Sequence, residues 1–275
     1  GACLGGEAGG RFTVDGARAG EIAPTHAAAL EVRDSSNPRR KVVEIVLSSA
    51  PIDTAAALET MNPHMHVINQ PALMDNDYVL LWLAPDGGMT ANATFAKTMT
   101  QYIEQSGPAL RATLDSQTPE RVAGRFVSLK PTRALSGENY AFDLHFDTPV
   151  ARLPSGRALK NGGEAPGKAF LAMLAAAKKK QWPALKTQLT PKVLGMFDAS
   201  YRSPKENADY ALDILKAWLP SGRLKIVGGE QRETVADLEI EGDMFPGTRA
   251  LYLARMRLSG TTWLFDGATQ VGLLR

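Results

Sequence analysis

The chain has a single cysteine, Cys3, among its 275 residues, so no disulfide can close within it. No apolar run approaches the roughly 20 residues that a membrane-spanning helix needs. Histidine is scarce: His26, His64, His66 and His145 are the whole supply, and none lies beyond residue 145. The second half therefore has no imidazole for acid–base work. A GxSxG elbow, an HExxH helix, a phosphate-binding loop and a dinucleotide fingerprint are all missing. With 31 Lys/Arg against 29 Asp/Glu, the chain lacks the basic excess of a nucleic-acid-binding domain, and nucleic acid is not an expected partner. No motif calls for a cofactor, and no residue is assigned a catalytic role.

What is present has the composition of a soluble globular protein, 44% hydrophobic and 22% charged. The length suits one large domain or two ordinary ones. Charge divides unevenly: residues 1–165 hold 15 Lys/Arg and 18 Asp/Glu, and residues 166–275 hold 16 and 11. A mildly basic second half reads as scattered solvated charge, with an acidic partner or an anionic membrane surface as the alternative.

Residues 11–150 read as β-rich. Strand-like stretches fall at 11–14, 27–32, 41–47 (KVVEIVL), 78–83, 89–96, 110–115, 122–129 and 140–146, with Asp15-Gly16 and Pro85-Asp86-Gly87-Gly88 as turn signals. Residues 37–40 read as a loop. Asp53 fits the N-cap of a short alanine-rich helix. Residues 61–77, with Pro63 and Pro71, read as irregular. The run at 78–83 is apolar throughout, so both of its faces should be covered. This spacing predicts a sandwich-like domain or a strongly bent sheet. Residues 151–165 (ARLPSGRALKNGGEA) read as an interdomain linker.

Residues 166–275 change character. A helix is expected over 166–182, with Pro166 in its first turn and Lys178, Lys179 and Lys180 in its last. Thr190-Pro191 opens a second helix, and Ser203 with Glu206 forms a capping box for a third. Strands follow at 223–227, 235–241, 248–258 and 261–265, with 270–274 a further candidate. Helices followed by such a meander predict an α+β layer with a curved antiparallel sheet.

Two resemblances arise from these stretches. Gly1-Ala2-Cys3, followed by the glycine-rich residues 4–10, resembles the end of a bacterial lipoprotein signal. That likeness implies acyl chains on Cys3, a flexible tether over residues 1–10, and a periplasmic protein held at the outer membrane. The other reading of Cys3 is an ordinary exposed thiol. The order of elements over 166–275, ending in Thr262-Trp263-Leu264-Phe265, resembles the nuclear transport factor 2-like, cystatin-related cone fold. The likeness implies a cone whose members are either catalysts using Asp and His or non-catalytic binders. The chain departs from the catalytic pattern because it has no histidine there. Asp209, Asp213, Tyr210 and Tyr252 are the polar residues that could approach a cone opening.

Three sets of residues follow as candidates. Arg249, Leu251, Leu253, Arg255 and Arg257 alternate along one strand and form a candidate protein-binding face, since Arg and large apolar groups are enriched at interfaces. Its alternatives are an interdomain contact and a solvated face. Phe170, Leu174, Leu215, Trp218 and Trp263 would line a ligand pocket in the cone, or serve as plain core. His64 and His66, two apart on an extended segment, could meet one metal ion with Asp75 or Asp77. The leading functional expectation is a non-enzymatic binding module, in sharpest form an immunity or inhibitor protein that occludes a toxic hydrolase. The alternatives are a small-ligand carrier using the cone and an enzyme of dehydratase or isomerase type.

Overall fold

A computed structural model describes residues 5–98, 100–105 and 110–274, so Cys3 lies outside the described residues. The chain is α+β, with 49% strand and 23% helix. It divides into two compact units: residues 1–33 with 40–153, and residues 34–39 with 154–275.

The first unit is built on β1 (Gly6–Asp15), β2 (Gly20–Ile22), β3 (His26–Asp34) and β4 (Asn37–Ser48), apart from residues 34–39 at the β3–β4 hairpin, which group with the second unit. Three short helices follow, α1 (Thr54–Leu58), α2 (Pro63–Ile68) and α3 (Pro71–Met74). Then come β5 (Tyr78–Leu83), β6 (Met89–Phe95), β7 (Thr100–Gln105) and β8 (Leu110–Gln117). The unit ends with β9 (Arg121–Ser128), β10 (Thr132–Arg133) and β11 (Asn139–Ala151). These strands form one eleven-stranded sheet in the order β7-β6-β5-β4-β3-β1-β11-β9-β8, with β2 on β1 and β10 on β11.

That sheet is strongly curled. Tyr102 on β7 and Tyr140 on β11 are six strands apart in the order, which in a flat sheet would separate them by about 29 Å. Their rings are 5.2 Å apart. The sheet is a half-barrel, and the sandwich expectation is corrected to its bent-sheet alternative. Phe12 sits in the concavity, 5.4 Å from Phe142 and 5.6 Å from Tyr140, with near-parallel rings. Val79, Leu81 and Leu83 face this aromatic core, while Tyr78 and Leu80 face the opposite way, against Val46 and Val67 under the three helices. The apolar run of β5 follows from this double burial.

Three local expectations are corrected here. Residues 6–10 are the start of β1, paired with β11 from Glu7↔Asp147 onward, and not a tether. Their glycines serve close approach: a Cβ on Gly9 would enter the His145 ring, and one on Gly10, whose φ is +85°, would collide with the Asp143 carbonyl. Residues 37–40 belong to β4. Residues 61–77 hold α2 and α3, each with a proline in its first turn.

The second unit comprises β12 (Arg157–Leu159), α4 (Glu164–Lys178), α5 (Trp182–Lys186), α6 (Pro191–Phe197) and α7 (Pro204–Trp218). It closes with β13 (Lys225–Arg232), β14 (Val235–Phe245), β15 (Thr248–Ser259) and β16 (Thr262–Leu273). Part of the expected linker is therefore β12, the edge of an antiparallel sheet ordered β12-β13-β14-β15-β16. Thr190 Oγ1 accepts from Val193 N at α6. The Ser203–Glu206 capping box is complete at α7, with Ser203 N donating to Glu206 Oε2 at 2.7 Å. One sheet face, with Leu238, Ile240, Tyr252, Ala254 and Met256, packs on the helices through Phe170, Leu185, Phe197 and Leu215.

Candidate functional site

The expected binding row lies along β15 on the sheet face opposite the helices. Its centre is closed: Leu251 is 0% exposed, Leu253 6% and Arg255 6%. The arginines are engaged by carboxylates of their own unit. Glu241 accepts from Arg249 Nη2 at 2.7 Å and also from Arg39. Asp237 accepts from Arg255 Nε at 2.7 Å and from Arg232 Nη2 at 2.7 Å. Asp266 accepts from Arg257 Nε at 2.7 Å and from the Thr190 hydroxyl at 2.9 Å. Buried charge must be paired, and the alternating Arg/carboxylate order fastens this sheet from strand to strand.

The pocket candidates pack into the layer between helices and sheet. Phe170, Leu174 and Leu215 are buried there, with Trp218 and Trp263 partly buried against them. Phe265 joins the set, 6.0 Å from Phe170 and 6.3 Å from Trp218 between ring centres. Asp209 turns outward to Lys180 at 2.5 Å, and this partner holds its carboxyl below the usual carboxylate range. Asp213 pairs with Lys216 on the exposed side of α7. Tyr252 is buried in the core, and burial pushes its phenol pKa up.

The metal pair is corrected. Asn62 accepts from Met65 N and Pro63 occupies the first turn of α2, so residues 63–68 are helical. Two positions apart on a helix means about 200° of rotation, and His64 and His66 cannot close on one ion as alternate strand residues would. Among the described residues no cluster of three or more His, Cys, Asp or Glu is arranged to hold a metal.

His64 instead reaches into the sheet. Its Nδ1 lies 2.6 Å from Oε2 of Glu44 on β4, and the Trp82 indole donates to the same oxygen at 2.7 Å. Glu44 is 0% exposed, and its Oε1 has no hydrogen-bond partner among the described residues. Burial is the largest single influence on His64 and disfavours its charge. The hydrogen bond and charge of Glu44 together outweigh it, so its pKa lies above the ordinary 6.5. The sequence carried a signal for this: Glu44 interrupts KVVEIVL on the same face as Val42 and Val46.

A third cluster lies at the corner between α6 and α7. The Arg202 guanidinium carbon sits 4.0 Å from the Tyr210 ring centre and 5.1 Å from that of Tyr201. Its Nη2 donates to the Tyr201 hydroxyl at 3.0 Å, and its Nη1 is enclosed with no hydrogen-bond partner among the described residues. Tyr201 is 81% exposed, and Met196 on α6 is also exposed. The stack holds Arg202 in a fixed direction while leaving an aromatic face in water. Residues 164–218, which carry the helices of this unit, hold 9 Lys/Arg and 5 Asp/Glu.

Compared with family models, curated proteins and solved structures, the chain matches none.

Proposed function

We propose that this chain is a non-enzymatic protein-binding module, and that its second unit, a cone-type domain of the nuclear transport factor 2-like kind, presents the docking surface at the α6–α7 corner. The observation that carries this reading is the stack of Arg202 on Tyr210 beside the exposed Tyr201 ring. Tyr and Arg are the residue types that dominate binding energy at interfaces, because they offer large rigid area and directed donors. The basic balance of residues 164–218 suits an acidic partner surface. In its sharpest form the module is an immunity or inhibitor protein that covers the active cleft of a toxic secreted hydrolase. It works from the periplasm, held at the outer membrane by acyl chains on Cys3, where tethering raises its local concentration.

The test is a deletion strain exposed to toxin-delivering competitors. Loss of survival that returns with the wild-type gene, and not with an Arg202→Glu variant of equal stability, supports the reading. Unchanged survival of the deletion strain removes it. An intact mass of natively produced protein that carries no acyl chains would remove the membrane anchor alone.

A further inference from the structure

We propose that His64 and Glu44 form a pH-sensitive fastening that holds α2 on the outer face of the half-barrel sheet and loosens it as the pH rises. The first ground is the cost of the Glu44 position. A carboxylate with no exposed surface requires a paired charge, and its one engaged oxygen is bound to His64 and to the neutral Trp82 indole. The imidazolium of His64 supplies the countercharge. The second ground is the weakness of the rest of the attachment. α2 is six residues long, and Val67 is its buried side chain, so neither its own backbone nor a wide apolar stripe holds it in place.

The groups that face His64 from the surrounding elements are few. On this face β3 presents His26 and the buried Asp34, which accepts from Ser36 N. There β4 presents Arg40 and Glu44, β5 presents Tyr78, and β6 presents the uncharged Thr90, Asn92 and Thr94. α2 itself adds His66. α1 (TAAAL) and α3 (PALM) carry no titratable residue, with Asp53, Glu59 and Asp75 at their ends.

The direction follows from linkage. With α2 docked, the His64 pKa is raised above 6.5; with α2 released, it returns to the ordinary 6.5. Below 6.5 the ring is charged in both states and the fastening is complete. Between 6.5 and the raised value the docked state keeps a proton that the released state has lost, so the opening equilibrium grows with pH, by at most about tenfold per unit for one proton. Above the raised value the contribution of the charge is gone and the opening levels off.

The test is native-state hydrogen exchange on the intact protein. The amides followed are those of His66 and Asn69, which bond to Asn62 and Met65 in α2, against that of Leu219, which bonds to Leu215 at the end of α7. After correction for intrinsic exchange, protection of the α2 amides should fall relative to Leu219 as the pH rises above 6.5, by at most about tenfold per unit, and then level off. In Glu44→Gln, and equally in His64→Gln should that variant fold better, the relative fall should vanish. α2 protection that tracks Leu219 at every pH in the wild type would overturn the proposal, and so would a dependence that survives in either variant.

Discussion

Arg255 grips Asp237 through two hydrogen bonds, Nε to Oδ1 at 2.7 Å and Nη2 to Oδ2 at 3.0 Å, across adjacent strands of the second sheet. Both residues are buried, and Asp237 also takes Arg232. Removing one partner takes a bidentate contact from a buried charge, which is far more damaging than replacing both. Asp237→Ala should lower unfolding stability by about 3 kcal/mol. The double variant Asp237→Leu with Arg255→Met should lose clearly less. Denaturant melts of the two variants check the order.

Gly10 tests the reassignment of the glycine-rich segment from tether to strand. Its φ is +85°, and an added Cβ would collide with the Asp143 carbonyl. Gly10→Ala should destabilise the first unit by about 2 kcal/mol, through the left-handed backbone and the displaced β11. Gly5→Ala meets nothing within 4 Å and should be neutral. Thermal melts of the pair measure the difference.

Ser203 closes the start of α7 by accepting from Glu206 N at 3.3 Å, while Glu206 reaches back to Ser203 N. Ser203→Ala should cost about 1 kcal/mol. Ser203→Asp, which keeps an acceptor at the cap, should restore most of it. Helical circular dichroism during urea unfolding reads the change.

Trp82 is the second donor to the buried Glu44 oxygen, at 2.7 Å. Trp82→Phe keeps an apolar ring and deletes the donor, leaving Glu44 with His64 as its described partner. The expected loss is about 1–2 kcal/mol. It should be larger above the His64 pKa than below it, because the charged ring then no longer compensates. Melts on either side of that pKa test both statements.

The parts of the fold legible in the sequence were those encoded locally. Thr190-Pro191 and the Ser203/Glu206 pair mark helix starts by side-chain chemistry, and both helices begin there. The run 78–83 states its own double burial. Asn62-Pro63 carries the same cap-plus-proline signature as Thr190-Pro191, yet the stretch reads as irregular and extended, and its backbone is helical. The glycines of β1 read as flexibility, because the need for them lies in β11, more than 130 residues on in the chain. The arginine row reads as a surface for a similar reason. Its carboxylate partners Asp237, Glu241 and Asp266 sit on neighbouring strands, where pairing depends on register and not on local pattern. His64 and Glu44 are 20 positions apart, joined by a strand-to-helix return that neither residue announces.

The central claim, that the chain acts by docking a protein at the α6–α7 corner, is tested most directly by paired capture from periplasmic extract. Wild-type protein and an equally stable Tyr201→Ala, Arg202→Ala variant are immobilised side by side, and the affinity of any protein held by the wild type is measured against both. The account expects one acidic partner whose affinity falls by at least about 30-fold in the variant, roughly 2 kcal/mol. A partner held equally by both proteins, or none held by the wild type, would contradict it.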